Sequence, residues 1–342
     1  MSHKRLSVLI PTYNRCSYLH NLLETLENEL QGFEGRVGVI VSDNGSTDTT
    51  QEVTARFLGR MSNLRIIRHP YNLGMDENFC ACVEADDAEY FWLMGDDDLP
   101  RAGAIRYLLD LIDSELPDMV YVESDWRAEL IDNQPDGPLP HVSALELTPI
   151  KFARRVNIWT TFISGTIIRR ATFVDDATSQ ELRRYNNTNL IQLSWVLGTF
   201  QRGKKLLYVP EPCVLATSGN TGGYAVLKVF GEYFPSIVNQ QFGRGSRIAR
   251  AIILRSVLGY LPGLVWKVRA GQIGSFTREQ LSAVIVQREQ ASTLGFFVIN
   301  AISGRHKLLA YGARAVCAAL MRALRLHDRV LEIIGGGKRR LS

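Results

Sequence analysis

The feature that most constrains this chain is a repeated rhythm. A short apolar run ends in a polar cluster and apolar residues at helical spacing follow. Residues 6–10 lead into Pro11-Thr12-Tyr13-Asn14-Arg15, and residues 37–41 into the cluster at 42–48. Residues 64–67 lead into the cluster at 69–78, and residues 90–94 into Gly95-Asp96-Asp97-Asp98. Between them, Leu19, Leu22, Leu23, Leu26 and Leu30, then Met75, Phe79, Cys82 and Val83, then Ile105, Leu108, Leu109 and Ile112 recur on helical faces. Residues 119–122 read as a fifth strand. Strands this apolar are buried on both sides, so the pattern predicts an α/β fold, a mainly parallel sheet with helices on both faces. Ligands of such sheets bind outside the carboxyl ends of the strands, where the four polar clusters should converge.

The rhythm fades along the chain. Asn133-Gln134-Pro135-Asp136-Gly137-Pro138 is loop chemistry. Further strands are expected at 162–168 and at 206–209, the latter ending at Pro210, with a helix over 190–200. After Ser218-Gly219-Asn220-Thr221-Gly222-Gly223 the chain reads as helical and basic. We therefore expect an α/β unit over 1–223 and a basic helical region over 224–342. Residues 243–342 hold 17 Lys+Arg against 4 Asp+Glu, whereas the first 242 carry 22 against 31. That split joins an acidic body to an anion-seeking tail.

Several classes are excluded. The C-terminal stretch 290–304 is free of charge but shorter than the roughly 20 apolar residues that cross a bilayer. Residues 1–11 lack the apolar region and cleavage site of a signal peptide. Cys16, Cys80, Cys82, Cys213 and Cys317 have no zinc spacing and read as ordinary thiols of a reducing compartment. There is no phosphate-binding loop of the Gly-x-x-x-x-Gly-Lys type and no Gly-x-Gly-x-x-Gly. No nucleic-acid-binding motif accompanies the basic charge.

Asp96, Asp97 and Asp98 are the sharpest chemical signal. Three successive carboxylates repel one another unless a cation sits among them, and hard divalent ions take such oxygen ligands together with phosphate. A solvated acidic turn is the alternative. Asp43 and Asn44 suit turn chemistry as well as a base or ribose edge. Asn72-Leu73-Gly74 suits a turn as well as close backbone approach to a flat ligand.

Together, Ser7-Val-Leu-Ile-Pro-Thr-Tyr-Asn-Arg15, Val41-Ser-Asp-Asn-Gly-Ser-Thr-Asp-Thr49, Asn72-Leu-Gly-Met-Asp-Glu-Asn78 and Trp92-Leu-Met-Gly-Asp-Asp-Asp98 resemble the ordered signatures of family 2 glycosyltransferases. Phe162-Ile-Ser-Gly-Thr-Ile-Ile-Arg-Arg170 and Tyr208-Val-Pro-Glu-Pro212 are similar to the abequosyltransferase-like members that build O-antigen units. The resemblance implies a GT-A fold and inverting sugar transfer from a nucleoside-diphosphate sugar. Pro11, Thr12, Tyr13 and Arg15 would line the nucleotide pocket, Asp43 and Asn44 would hold the nucleoside, and Asn72, Gly74 and Asn78 would complete it. Asp96 and Asp97 would face the donor. Asp96 with Asp98, or in another alignment Asp97 with Asp98, would hold manganese or magnesium.

One position departs from the family pattern. Where many members carry a carboxylate base, this chain has Ile191-Gln192, and an amide takes no proton. Asp175 and Asp176 upstream are the candidate bases, with Glu181 and Asp125 as further carboxylates. Trp126, Trp159 and Trp195 suit sugar stacking or packing. The arginine-rich, apolar C-terminal helices suit an anionic membrane interface or a packed subdomain. The expected acceptor is a polyprenyl-diphosphate-linked saccharide at the inner face of the cytoplasmic membrane. A non-catalytic nucleotide-sugar-binding protein and a metal-dependent nucleotidyltransferase are the competing readings.

Overall fold

A computed structural model describes residues 4–128, 139, 143–173, 179–218, 225–271, 293–304, 306–334 and 340–341. Among the described residues ten strands form one sheet: β1 (Leu6–Thr12), β2 (Val37–Asp43), β3 (Leu64–Arg68), β4 (Tyr90–Leu93), β5 (Leu99–Pro100), β6 (Met119–Arg127), β7 (Ala144–Glu146), β8 (Thr166–Arg169), β9 (Leu206–Thr217) and β10 (Arg340–Leu341). Their order is β10-β7-β9-β6-β8-β4-β1-β2-β3, with β5 paired to β9. Strands β4, β1, β2 and β3 are parallel neighbours, and so are β6 and β9. β8 runs antiparallel between β4 and β6.

Helices α1 (Cys16–Glu29), α2 (Thr50–Leu58), α3 (Met75–Glu84) and α4 (Ala104–Glu115) cross over between these strands, and α5 (Pro149–Val156) follows β7. The pleat of β1 divides the core. Leu6, Val8 and Ile10 pack with α1, α2 and α4, while Leu9 packs with α3, α5 and the helix Leu193–Arg202 on the other face. Fully buried residues on both faces are why the strands carry no polar alternation.

Three expectations change. The segment expected as a strand at 162–168 opens as a tight turn, Ile163–Gly165, before the short antiparallel β8. The helix expected at 190–200 is Leu193–Arg202. β9 does not stop at Pro210 but runs on to Thr217, because the register against β6 slips between Val122 and Ser124. That bulge takes up Pro210 and Pro212, which donate no ladder hydrogen bond. β6 is correspondingly longer than residues 119–122 and reaches Arg127.

Beyond residue 225 the described residues are helical up to β10. Val226, Leu227, Leu258, Leu261, Val265, Ile299, Ile302 and Cys317 form a third core. Ala249 and Ile252 join the second core instead, so this region is packed onto the body. Arg247–Arg269 is long and apolar enough to cross a membrane, yet more than half of it is buried here, as in a core helix. Its Arg255 is buried and donates to Asp328. All five cysteines are unpaired, and burial pushes Cys80 up to about 12.

Candidate active site

The ends of β1, β2 and β4 bring the first, second and fourth polar clusters together. The first is shaped by Asn14, which takes φ +52°. Its N–H donates to Ser46 Oγ at 2.9 Å and its Oδ1 accepts the Thr47 N–H at 2.8 Å, fastening the β1 loop to the β2 loop. Pro11 and Thr12 are buried in β1, whereas Tyr13 is 40% exposed. Asp43 ends β2, buried, and its Oδ1 accepts the Ser46 N–H at 2.9 Å.

The third cluster is tied in by Asn44. Its Oδ1 accepts the Leu73 N–H at 2.8 Å, and its Nδ2 donates to Asn72 Oδ1 at 2.9 Å and to the Gly74 carbonyl at 3.2 Å. Both halves of this amide shape the 72–74 loop. Asn78 likewise holds Ser42, accepting its hydroxyl at 2.7 Å and donating to its carbonyl at 3.2 Å. Gly74, at φ +88°, has nothing within 4 Å of where a Cβ would stand, so the loop leaves open space there.

The aspartate triplet is buried, at 4%, 7% and 3% exposure for Asp96, Asp97 and Asp98. Asp96 accepts Thr12 Oγ1 at 2.7 Å on one oxygen and Arg15 Nη1 at 3.0 Å on the other. The same Nη1 lies 3.0 Å from Asp97 Oδ2. Asp98 accepts Ser164 Oγ at 2.5 Å and the Thr217 N–H at 3.0 Å, and Thr217 Oγ1 donates to the Asp97 carbonyl at 2.6 Å. Burial pushes Asp96 up to about 6 against the pull of Arg15. Burial and the neighbouring Asp97 charge hold Asp98 well above the usual carboxylate range. Its hydroxyl and backbone partners carry no formal charge to balance it.

This arrangement fits a divalent cation. A Cβ built on Gly95 would stand 3.0 Å from both Asp97 Oδ1 and Asp98 Oδ2, so these two oxygens face one space that only glycine leaves open. Both Asp96 oxygens are engaged by Thr12 and Arg15, and both Asp98 oxygens by Ser164 and the Thr217 N–H, so a cation at either would share an oxygen with an existing hydrogen bond. Among the described residues no three or more His, Cys, Asp and Glu side chains form a complete metal cage. One or two carboxylates suffice where phosphate oxygens supply the remaining ligands.

Gln192 is buried, and its Nε2 donates to the Thr161 carbonyl at 2.7 Å. It braces the segment before Ser164 and offers no base. Asp175 and Asp176 lie outside the described residues. Glu181 pairs with Arg202 at 3.4 Å, and Asp125, half-exposed near the end of β6, accepts from Arg127 at 3.0 Å. Trp195 is packed in the core, but Trp126 is 42% exposed and rests on Phe162 and Trp159. Ser164 and Thr217 escaped the sequence reading. Their only signals are a small polar residue within the run 162–168 and a threonine before the Ser218-Gly219 break.

Residues 7–175 match the model of glycosyl transferase family 2. The chain carries a family 2 glycosyltransferase domain. It is 37% identical over 112 residues to the abequosyltransferase RfbV of Salmonella typhimurium, a match spanning 32% of this chain and 33% of that relative. Only about a third of the relative's length is thus shared. The fold resembles TarS of S. aureus at a TM-score of 0.57 and 15% identity, covering 94% of this chain and 92% of that one. A mannosyltransferase from Pyrobaculum calidifontis, solved with GDP-Man and Mn2+, gives 0.52 at 13% identity, covering 98% and 89%. At these identities the likeness is one of fold, and it bears out the expected GT-A architecture with a helical C-terminal region.

Proposed function

We propose that this domain is an inverting glycosyltransferase that moves a sugar from a nucleoside-diphosphate donor to a lipid-linked saccharide in surface polysaccharide or O-antigen synthesis. The observation that carries the reading is the buried carboxylate triplet, held at the strand ends beside the β1, β2 and 72–74 loops. Relatives of the same fold were solved with UDP-GlcNAc and with GDP-Man and Mn2+, which supports the donor class.

In this reading the loops after β1 and β2 receive the nucleoside, with Tyr13, Asp43 and Gly74 at the pocket. Arg15 and Thr12 fix Asp96 so that Asp97 and Asp98 face the donor diphosphate. Asp98, with Asp97 rather than Asp96, would hold magnesium or manganese, which neutralises charge on a departing diphosphate. Positive charge develops at the sugar as the bond breaks, and a carboxylate takes the acceptor hydroxyl's proton. Asp175 and Asp176 are proposed for that role. Gln192 favours the non-catalytic alternative, which binds the donor without turnover.

The C-terminal region supports a peripheral site on the inner face of the cytoplasmic membrane. The helix Lys307–Ile334 buries Ala310 and Cys317 inward and exposes Leu308, Leu309, Val316, Leu320 and Leu326 outward, with Lys307, Arg322 and Arg325 also exposed. An outward apolar face edged by cations suits anionic lipid.

The test is incubation of the full chain with UDP-, GDP-, CDP- and dTDP-sugars, a divalent cation and polyprenyl-diphosphate-linked monosaccharides. Acceptor-dependent diphosphate release that vanishes in Asp98→Asn supports transfer. Donor binding without release supports the non-catalytic alternative.

A further inference from the structure

Asp98 is held from two sides, by Ser164 Oγ at 2.5 Å and by the Thr217 N–H at 3.0 Å. The same two segments carry an aromatic cluster. Phe162 lies two residues before Ser164, and Trp126 pairs across the β6–β9 ladder with Ala216, the residue before Thr217. The Trp126 ring sits 4.7 Å from Phe162 and 5.4 Å from Trp159, centroid to centroid. Trp159 in turn meets Tyr260 at 5.9 Å. Trp126 is therefore fixed from behind, with 42% of its surface open to solvent.

Sheet order places it on a definite side of the triplet. From β4, which delivers Asp96–Asp98, the nucleoside loops lie toward β1, β2 and β3. β6 lies in the other direction, beyond β8. Two strand spacings separate β6 from β4, about 10 Å. Asp98 itself reaches Thr217 at the end of β9, so a ring stacked on Trp126 lies on the β6–β9 side of the triplet, away from the nucleoside loops.

We propose that Trp126, backed by Phe162 and Trp159, is the platform on which a pyranose ring of the acceptor saccharide stacks. The C–H face of a pyranose is apolar while its hydroxyls radiate from the rim, so an indole supports it without unpaired polar atoms. A platform immobilised before binding loses little side-chain freedom when the sugar arrives. The proposal rests on the glycosyl-transfer reading and adds the acceptor subsite to it. Trp126 acts in binding, so its removal weakens acceptor affinity and leaves donor affinity intact.

The experiment is saturation-transfer-difference NMR on the full chain with methyl glycosides of glucose, galactose, mannose, rhamnose and N-acetylglucosamine. Wild type, Trp126→Ala and Trp126→Phe are compared, each also melted with UDP, GDP, CDP and dTDP plus manganese. We expect saturation of the ring protons of at least one glycoside by wild type and about tenfold weaker binding in Trp126→Ala. Trp126→Phe retains most of the affinity, and the diphosphate shift is equal in all three. No saturation of any glycoside by wild type, or equal saturation by Trp126→Ala, overturns the proposal. Failure of the underlying transfer reading shows separately, as the absence of any diphosphate shift in wild type.

Discussion

Ser164 holds Asp98 and the strand end beneath it with one atom: its Oγ donates to Asp98 Oδ2 at 2.5 Å while accepting the Gly95 N–H at 2.9 Å. Ser164→Ala leaves a buried carboxylate oxygen and a backbone N–H without this partner. The expected loss is about 1–3 kcal/mol of stability, the usual cost of unsatisfied buried groups. Urea unfolding measures it, and an unchanged midpoint would show that Ser164 braces nothing.

Arg15 places one guanidinium nitrogen 3.0 Å from Asp96 and 3.0 Å from Asp97. Its side chain is 22% exposed, so solvent screening reduces the loss expected from a fully buried pair. Arg15→Met should cost about 2 kcal/mol at pH 8. Asp96 already stands near 6, and losing its cation raises it further. Protonation then relieves the repulsion, so the deficit should shrink at pH 5. Melts at the two pH values decide this, and a deficit larger at pH 5 would contradict it.

Asp98 gives the opposite stability effect. Its folded pKa is raised above the unfolded value near 4, so the native state binds the extra proton between those two values. Its contribution is therefore full below the unfolded value and is lost as pH rises through the folded one. Asp98→Asn removes that loss and can keep both partners, accepting from Thr217 and donating to Ser164. The variant should melt about 2–4 °C above wild type at pH 8, with the gap closing toward pH 4. Equal melting curves at pH 8 would refute the stored repulsion.

The outward face of Lys307–Ile334 predicts binding to phosphatidylglycerol vesicles that weakens with salt. Replacing Leu308, Leu309 and Leu320 together by Asp should reduce vesicle binding about tenfold or more while leaving the melt unchanged, because all three are exposed. Co-sedimentation reads the effect, and undiminished binding by the triple variant would remove this helix from the membrane account.

The parallel half of the sheet was readable because β1, β2 and β4 are buried on both faces and advertise it as unbroken apolar runs. β9 is expected to end at Pro210, yet it continues through both Pro210 and Pro212. A bulge within β9, opposite Val122–Ser124, absorbs them, and whether a proline stops a strand or sits in a bulge depends on the register against β6. Repulsion alone left the triplet open between a cation site and a solvated acidic turn; its burial removes the solvated turn, and its internal division was not legible. Arg15 is 81 residues from Asp96, and Thr217 is 119 from Asp98, so which oxygen is occupied depends on tertiary contacts. Asn44 shows the reverse. Its position suits turn chemistry as well as a ribose or base edge, and the fold turns its amide onto the 72–74 loop.

The most direct test of the central claim is thermal stabilisation by UDP, GDP, CDP and dTDP, each with and without manganese or magnesium, in wild type and Asp98→Asn. Binding to the native state alone raises the melt by mass action. The account predicts that one diphosphate stabilises wild type in a metal-dependent way and loses that dependence in Asp98→Asn. No shift with any diphosphate under either metal, or an equal metal-dependent shift in Asp98→Asn, would contradict it.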